Sequence, residues 1–173
     1  MIAILVGALF LLRLFFLKIS IRNEKQILAD GGEEFGVANT KLLTLAHILF
    51  YVACLMEASI KQVSFDTVSA FGLILLVFAM VMLYWVVQLL GSIWTVKLML
   101  VKNHRFINHW LFRTIKHPNY FLNILPELIG LALLCHASYS FILLFPLYAF
   151  ILYKRIKEEN KLLKEVIIPN SQQ

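Results

Sequence analysis

The chain has 173 residues; 61% of them are apolar, 15% are charged, and the formal net charge is +6. Soluble domains contain about 45–50% apolar and about 25% charged residues, so this composition excludes a water-soluble globular domain and predicts an integral membrane protein. The basic residues lie between apolar blocks, where membrane topology explains them, and we expect no nucleic-acid partner. Cys54 and Cys135 lie inside apolar blocks without metal-ligand spacing, so we expect neither a disulfide framework nor a metal site.

Five apolar segments approach the length of about 20 residues that a helix needs to cross the hydrocarbon core of a bilayer. The first begins without a basic region and has no small-residue cleavage site, which predicts a retained span rather than a signal peptide. All five should be helices, because lipid offers no partner to unpaired backbone groups. The predicted spans are residues 2–17, 42–60, 68–90, 120–136 and 139–153.

The last two predicted spans are short and are separated by little more than Ala137 and Ser138, which predicts a tight helical hairpin. Pro126 and Pro146 are predicted to kink its two arms. The connection between the first two spans is polar. Its residues 22–29 are predicted to form a short interfacial helix that is followed by a glycine turn.

Lysine and arginine residues alternate along the connections: they number four, one, five and zero in the four connections and five in the tail. Because positive residues accumulate on the cytoplasmic side, the N-terminus is predicted to lie outside and the C-terminus in the cytoplasm. The third connection and the tail would then share the cytoplasmic face.

The chain is predicted to be one all-α domain over residues 1–173, with three spans in residues 1–90 and a polar loop, the hairpin and a C-terminal helix in residues 91–173. A soluble Rossmann domain is excluded by length and by the lack of a G-x-G-x-x-G sequence. The membrane helices and their loops must therefore hold any nucleotide-like cofactor.

The densest polar cluster ends in Lys116-His117-Pro118-Asn119-Tyr120, immediately before the fourth predicted span. Proline fixes its own φ and disfavours a helical conformation of the residue before it. His117 is therefore predicted to occupy a turn, with Tyr120 in the first turn of the helix. The free N–H groups of such a helix start suit a carboxylate. On charge alone, the loop is more typical of a basic segment that attracts anionic lipid.

Arg155 and Glu159 follow the fifth predicted span and share a helix face, because they are four residues apart. Considered alone, this spacing is typical of a solvated ion pair. The antiparallel hairpin, however, brings the start of the fourth span and the end of the fifth to the same side of the membrane. His117 and Tyr120 are therefore predicted to lie near Arg155 and Glu159, in a site that suits a zwitterionic, amino-acid-like cofactor.

Two carboxylates lie inside the predicted spans, where an ionisable group is costly and indicates function. Glu57 lies near the end of its span, and we interpret it as reaching the outer interface. Glu127 lies two helical turns beyond the start of the fourth span and is a candidate for a substrate contact. The alternative is a structural hydrogen bond to a neighbouring helix, for example to Gln88. We interpret His47 and His136 as packing or interface residues.

Two strings of residues resemble one protein family. Phe-Arg-Thr-Ile-Lys-His-Pro-Asn-Tyr at 112–120 and Arg-Ile-Lys-Glu-Glu-Asn-Lys-Leu-Leu at 155–163 are separated by a hydrophobic hairpin. They resemble the isoprenylcysteine carboxyl methyltransferase family and its bacterial relatives, which show an R-H-P-x-Y turn and a closing R-x-x-E-E-x-x-L. Residues 91–97, with Trp94 and Thr95, are similar to the segment before this motif region. The resemblance covers about residues 91–163.

The resemblance implies a fold in which membrane helices and cytosolic connectors enclose S-adenosylmethionine, while the acceptor enters from the lipid. Arg155 and Glu159 would then be catalytic, near the amino acid part of the cofactor and the transferred methyl group. The residues that would bind the cofactor are His117, Tyr120, Ile107, Asn108, Glu158 and Glu159, and those that would bind the substrate are Glu127 and Trp94.

The sequence departs from the family pattern in three places. Lys116 stands where arginine is usual, and Trp110 stands where many relatives have glycine. The aromatic ending that usually follows the paired glutamates is replaced by Lys164-Glu165-Val166. The acceptor site should therefore differ from that of enzymes acting on prenylated protein termini. The pattern is closest to bacterial relatives that O-methylate long-chain polyketides such as alkylpyrones.

The expected function is transfer of a methyl group from S-adenosylmethionine to a hydroxyl or carboxylate oxygen of a lipophilic small molecule. The expected location is the bacterial plasma membrane, as a multi-pass protein with the cofactor site facing the cytoplasm and membrane lipid as a partner. Alternatives with a related fold are an isoprenylcysteine carboxyl methyltransferase, a phospholipid N-methyltransferase and a membrane reductase that uses NADPH. A small proton-coupled exporter using Glu57 or Glu127 is an alternative of another class. An exporter would not need a His-Pro-Asn-Tyr turn paired with Arg-x-x-Glu-Glu.

Overall fold

The computed structural model describes residues 1–100 and 109–163, and these residues are mostly helical. Two short strands and a 3₁₀ turn at Gly91–Ile93 interrupt the helices. The elements are α1 (Ile2–Ala29), β1 (Glu33–Phe35), α2 (Val37–Ile60), α3 (Thr67–Leu90), β2 (Leu98–Leu100), α4 (Trp110–Thr114), α5 (Leu125–Leu134) and α6 (Ser138–Leu162).

Four helices within the described part of the chain are long and apolar enough to cross a membrane, namely α1, α2, α3 and α6. They contain the first, second, third and fifth predicted spans. The helical segment that contains most of the fourth predicted span, Asn119–Leu134, is shorter. At 1.5 Å per residue it is about 24 Å long, less than the hydrocarbon thickness of about 30 Å. The five-span arrangement and its orientation therefore stay predictions.

The helix that follows the His-Pro turn opens with a π-helical turn at Asn119–Ile124 before it continues as α5. Proline has no N–H, and its ring collides with the carbonyl four residues before it. Pro126 therefore opens the regular hydrogen-bond ladder of the preceding turn, which widens. Pro146 lies inside α6, and the kinks predicted at the two prolines stay predictions.

The first connection differs from its prediction. Residues 22–29 do not form a separate interfacial helix, because α1 continues through them to Ala29. The predicted glycine turn is present, with Gly31 at a φ of +80°. It leads into β1, which pairs with β2 in antiparallel register, Glu34 opposite Met99. The all-α prediction therefore misses a small sheet, whose three-residue strands are too short to show an alternating pattern.

The core lies where α3 packs against α5 and α2 packs against α6. Glycines permit the first contact: a Cβ on Gly72 would lie 2.6 Å from the carbonyl oxygen of Gly130, and a Cβ on Gly130 would lie 2.8 Å from that of Gly72. Ser69 adds a hydrogen bond from Oγ to the Leu134 carbonyl oxygen at 3.1 Å. Such close approach through small residues is typical of helix packing in membranes.

Polar contacts fasten the end of the bundle that lies away from the His-Pro turn. Asp66 accepts a hydrogen bond from the Ser69 backbone N–H at 2.9 Å, which caps α3. This bond, together with His136 Nε2 at 2.9 Å from the same carboxylate oxygen, lowers the pKa of Asp66. His136 thus joins the end of α5 to the start of α3.

Glu57 caps the start of α6. Its carboxylate accepts backbone hydrogen bonds from Tyr139 at 3.1 Å and from Ser140 at 2.7 Å, and it pairs with Lys61 at 2.6 Å. Glu57 is only 9% exposed. The carboxylate joins α2 to α6, because the unpaired N–H groups of a helix start attract an anion. That Glu57 also lies at the outer interface stays a prediction.

Candidate active site

A cavity of about 490 Å³ lies where the His-Pro turn, the end of α6 and the segment between α3 and β2 meet. Binding sites for small ligands occupy about 300–1,000 Å³, so this cavity can hold a molecule the size of a cofactor. Polar residues that line it include Trp94, His117, Asn119, Tyr120, Arg155 and Glu159. A second cavity of about 690 Å³ lies at the other end of the bundle and contains none of these residues.

The turn before the π-helical segment places His117 and Tyr120 side by side. The His117 carbonyl oxygen accepts hydrogen bonds from the backbone N–H groups of Tyr120 and Phe121, at 3.1 and 3.2 Å. The imidazole and phenol rings stack with their centroids 5.6 Å apart. Both residues are buried. The predicted role of Pro118, to set His117 in a turn at the helix start, matches this local geometry.

Glu159 joins the His-Pro turn to α6. The Tyr120 hydroxyl donates a hydrogen bond to Glu159 Oε2 at 2.6 Å. His117 Nδ1 lies 3.1 Å from Glu159 Oε1 without forming an aligned hydrogen bond, while Nε2 lies 3.2 Å from Asn160 Oδ1. Since an amide oxygen only accepts, Nε2 carries the hydrogen. In the neutral ring Nδ1 then faces the carboxylate as a second acceptor, whereas a protonated ring would complete an ion pair.

Arg155 is the most deeply buried charged group of the site, with 2% of its surface exposed. Its guanidinium donates to Thr40 Oγ1 at 2.7 Å, to the Val96 carbonyl oxygen at 3.3 Å and to the Tyr120 hydroxyl at 3.4 Å. All three partners are neutral, and within the described ranges no carboxylate forms an ion pair with Arg155. Glu159 reaches Arg155 only through the Tyr120 hydroxyl. Because a buried charge without a directly contacting counter-ion is costly, this position suits an anion.

The start of α2 supports the α6 residues from the other side. Thr40 holds Arg155, and Asn39 Nδ2 donates to Glu158 Oε2 at 3.3 Å. Gly36 has a φ of +61°, and a Cβ there would lie 3.2 Å from the Glu158 carboxyl carbon. Glu158, predicted to bind the cofactor, thus faces α2 and is not among the residues that line the cavity.

The C-terminal end of α1 holds the cavity wall between α3 and β2. Asn23 Nδ2 donates to the carbonyl oxygens of Gly91 and Trp94, at 3.0 and 2.8 Å. Ser20 Oγ accepts from the Val96 N–H at 2.9 Å. Three hydrogen bonds from one helix face therefore fix this segment, although its residues have no regular secondary structure of their own beyond one turn.

Lys97 joins the same segment to α1 and to β1. Its ammonium group hydrogen-bonds to Glu24 of α1 and to Glu34 of β1, the latter at 2.9 Å. These two hydrogen bonds, the one to Glu24 first, raise the pKa of Lys97 above its usual value. Lys97 therefore stays charged and links α1, the sheet and the cavity wall.

Trp94 contributes an unsatisfied donor to the cavity wall. The side chain is 3% exposed and lines the cavity, and its indole Nε1 is buried without a hydrogen-bond partner in the described part of the chain. Buried polar groups are almost always hydrogen-bonded. An unpaired indole N–H at this wall therefore suits a ligand that brings an acceptor atom.

Comparison with known proteins identifies the family. Residues 72–165, more than half of the chain, match the isoprenylcysteine carboxyl methyltransferase (ICMT) family. The chain belongs to this family. The matched residues contain both the His-Pro turn and the Arg155–Glu159 segment. Family membership implies a membrane methyltransferase, and ICMT-family enzymes generally use S-adenosylmethionine.

Two bacterial relatives extend the similarity beyond the family match. An uncharacterized protein of Haemophilus influenzae is 45% identical over 149 residues, which cover 86% of this chain and 87% of the relative. The uncharacterized protein YpbQ of Bacillus subtilis is 29% identical over 164 residues, 94% of this chain and 96% of its own. No solved structure matches the chain. The similarity to these relatives therefore extends into the N-terminal half of the chain, beyond the ICMT region.

Glu127, a predicted substrate contact, does not line the cavity of about 490 Å³. It is fully buried and accepts hydrogen bonds from Arg13 Nε at 2.7 Å and from the Tyr51 hydroxyl. His47 Nε2 lies 3.7 Å away. Of the two alternatives weighed for Glu127, this arrangement favours the structural contact, but the partners are Arg13 and Tyr51 rather than Gln88.

The remaining predicted site residues divide into two groups. His117, Tyr120, Trp94, Arg155 and Glu159 meet at one cavity, and their assigned roles stay predictions. Ile107 and Asn108 lie outside the described residues. Sequence reasoning missed Thr40, Asn39, Ser20 and Asn23, which hold the site in place. Single polar residues at helix ends gave no signal for a role at so large a sequence separation.

Proposed function

We propose that this chain is an integral membrane methyltransferase that uses S-adenosylmethionine to methylate a hydroxyl or carboxylate oxygen of a lipophilic small molecule. The acceptor class we propose is a long-chain amphiphile such as a polyketide, and we propose that the site faces the cytoplasm of a bacterial cell. Membership of the ICMT family supports methyl transfer. The choice of oxygen and of a small acceptor is our inference.

The observation that carries the proposal is the convergence of four side chains on one cavity. His117 and Tyr120 come from the turn before α5, and Arg155 and Glu159 come from α6. A guanidinium that has only neutral partners lies beside a carboxylate bonded to a phenol. This site can bind a carboxylate and a positively charged group of one ligand at the same time.

The described residues fit S-adenosylmethionine. Arg155 would hold its carboxylate or the ionised oxygen of the acceptor, Glu159 would lie near the positive charges, and the indole N–H of Trp94 would find an oxygen or nitrogen acceptor. When bound, the cofactor supplies a methyl group attached to a sulfonium. Once the acceptor oxygen has taken the methyl group, the remainder of the cofactor leaves as a neutral thioether.

The protein contributes mainly by aligning the acceptor oxygen with the methyl group, and less by acid–base chemistry. A carboxylate, or a hydroxyl acidic enough to be ionised, needs no base, so the main requirement is to hold the oxygen in line with the methyl group. Proximity of this kind can supply about 7–11 kcal/mol of the barrier. Arg155 holds negative charge at a fixed position because Thr40 and Val96 fix its guanidinium. The burial of His117 and Tyr120 keeps water away from that position.

The apolar part of the cavity supports a lipophilic acceptor. Val86 and Leu90 of the membrane-spanning α3 line it, as do Leu162 and Leu163 at the end of α6. The cavity therefore has an apolar wall at the ends of α3 and α6 beside its polar residues. An alkyl tail can lie against this wall while a polar head reaches Arg155.

Label transfer to lipid tests the proposal. We would incubate the purified protein with S-adenosylmethionine labelled in the methyl group and a total lipid extract of bacterial cells, and then count label in the organic phase. Arg155→Met should abolish transfer. Lys154→Met is the matched control, since Lys154 is exposed and lies over the Phe150 ring, away from the cavity. Transfer by Arg155→Met at the wild-type rate, or no transfer by the wild type, would overturn the proposal.

The chemistry of the labelled product separates the alternatives. Label that alkali releases as methanol indicates a methyl ester, and label that resists alkali in a neutral lipid indicates an ether. Label in a phospholipid amine would instead identify an N-methyltransferase.

The exporter alternative depended on Glu57 or Glu127. Each of these carboxylates is ion-paired, with Lys61 and Arg13 respectively, and joins helices together.

A further inference from the structure

A chain of amide side chains runs from the membrane-embedded α1 to the cavity wall. Asn119 and Asn123 are four residues apart and share one face of their helix. Asn123 Nδ2 donates to Asn119 Oδ1 at 3.0 Å, and Arg13 Nη2 donates to Asn123 Oδ1 at 2.9 Å. Asn119 lines the cavity, so two amide side chains connect Arg13 to the proposed active site.

Arg13 fixes the direction of every hydrogen bond in this chain. A guanidinium has only donors, so Asn123 must turn its amide oxygen toward Arg13 and its NH₂ toward Asn119. Asn119 must then accept with its oxygen. The orientation of an amide is ordinarily inferred from its neighbours, and here a neighbour that can only donate decides it. The NH₂ group of Asn119 remains, without a hydrogen-bond partner within residues 1–100 and 109–163.

A second residue that lines the same cavity also offers a hydrogen-bond donor without a partner among the described residues. The indole N–H of Trp94 is buried and without a partner in the described ranges, and an indole is also only a donor. Asn119 is only partly buried, so its NH₂ group is accessible from the cavity, and together with the buried indole N–H it suits a ligand that presents oxygen acceptors. The two observations are independent, because Trp94 lies before β2 and Asn119 lies at the start of the π-helical turn.

We propose that Asn119 binds the oxygen that receives the methyl group, by donating a hydrogen bond from its side-chain NH₂. The inference rests on the proposed function and names a further acceptor-binding residue. An oxygen has more than one lone pair, so it can accept this bond and still attack the methyl carbon. The amide chain leads to Arg13, which lies inside the membrane-spanning α1 and is 21% exposed. The wall is therefore connected to a membrane-spanning helix, beside which the tail of a lipophilic acceptor would lie.

The cofactor carboxylate has the same chemistry as an acceptor oxygen, and two measurements distinguish them. Calorimetric titration with S-adenosylhomocysteine reports cofactor binding. The rate of label transfer at increasing concentrations of the bacterial lipid extract reports acceptor binding as an apparent KM.

Two variants remove the donor in different ways. Asn119→Asp keeps an oxygen for Asn123 but replaces the NH₂ group by a negative charge. Asn119→Leu removes the donor without adding charge. Gln62→Glu is the matched control, since it makes the same amide-to-carboxylate exchange in the α2–α3 connection at the other end of the bundle. Thermal unfolding of each variant shows whether it is folded.

Both Asn119 variants should raise the apparent KM for lipid, or lower kcat/KM, by about 10-fold or more, the usual effect of losing a hydrogen bond to a charged group. Their affinity for S-adenosylhomocysteine should stay within about twofold of wild type. Loss of that affinity in Asn119→Leu would assign the donor to the cofactor and overturn the proposal. Unchanged lipid kinetics would show that the amide chain is structural only, which also overturns it. A wild type that binds no S-adenosylhomocysteine would instead refute the proposed function, before any variant is made.

Discussion

Removing one partner of the Arg13–Glu127 pair should destabilise the protein far more than removing both. Glu127 is fully buried, and Arg13 lies inside a membrane-spanning helix. Glu127→Met leaves the guanidinium without its counter-ion, which costs about 3–5 kcal/mol for buried pairs. The 21% exposure of Arg13 lets it reach partly outward, so we expect the lower end of that range. Arg13→Met combined with Glu127→Met removes both charges and should restore most of the loss.

The assay can use the two cysteines of the chain. Cys54 and Cys135 are fully buried, so a dye that fluoresces on reaction with thiols reports unfolding. At about 2–4 °C per kcal/mol for a chain of this size, Glu127→Met should lower Tm by roughly 6–15 °C, and the double variant should melt within about 3 °C of wild type. Arg22→Met, which removes an exposed arginine of the same helix, is the control. Equal melting of the single and the double variant would refute the ion-pair interpretation.

Three further predictions concern helix ends. Thr40→Val removes a hydrogen bond to the buried Arg155 and should lower kcat about 10-fold; an unchanged rate would show that Thr40 does not position the guanidinium. Gly36→Ala places a Cβ at positive φ beside Glu158 and should cost about 1–2 kcal/mol, measured as a lower Tm than that of Gly7→Ala, a glycine with open space around it. Asp66 has a lowered pKa in the folded state, so its stabilisation is present above the ordinary carboxyl pKa and is lost as pH falls through the lowered one. The Tm difference between wild type and Asp66→Ala should therefore narrow in acid, and a difference that widens would contradict the assignment.

The parts of the fold that depend on local sequence were predictable. Long apolar blocks marked α1, α2, α3 and α6, and the proline after His117 marked the turn that presents this histidine. The clustering of His117 and Tyr120 with Arg155 and Glu159 followed from short connections and from the family pattern. Each of these signals depends on residues close together in the chain or on a known motif.

The contacts that were missed join residues far apart in sequence. Arg13 and Glu127 are separated by 114 positions, and neither residue carries a periodic or spacing signal that names the other. Judged only by its depth in the membrane, Gln88 was a reasonable partner for Glu127. The packing of α1 instead places Arg13 in contact with Glu127. The two strands escaped prediction because three residues are too few to show alternation. A buried charge in a span indicates that a partner exists, whereas only the packing of helices identifies it.

The N-terminal helices have a larger share in the site than the motifs suggest. Thr40 fixes Arg155, and Ser20 and Asn23 fix the wall that contains Trp94. These residues lie before the part of the chain that matches the ICMT family. The motif residues alone therefore do not complete the cavity.

Calorimetric titration with S-adenosylhomocysteine tests the central claim most directly. The wild type should bind at micromolar concentration, and His117→Ala and Glu159→Ala should bind no longer, because both side chains line the same cavity. His136→Ala, which changes a histidine at the other end of the bundle, should bind as the wild type does. Undiminished binding by the His117 and Glu159 variants would contradict the assignment of this cavity to the cofactor.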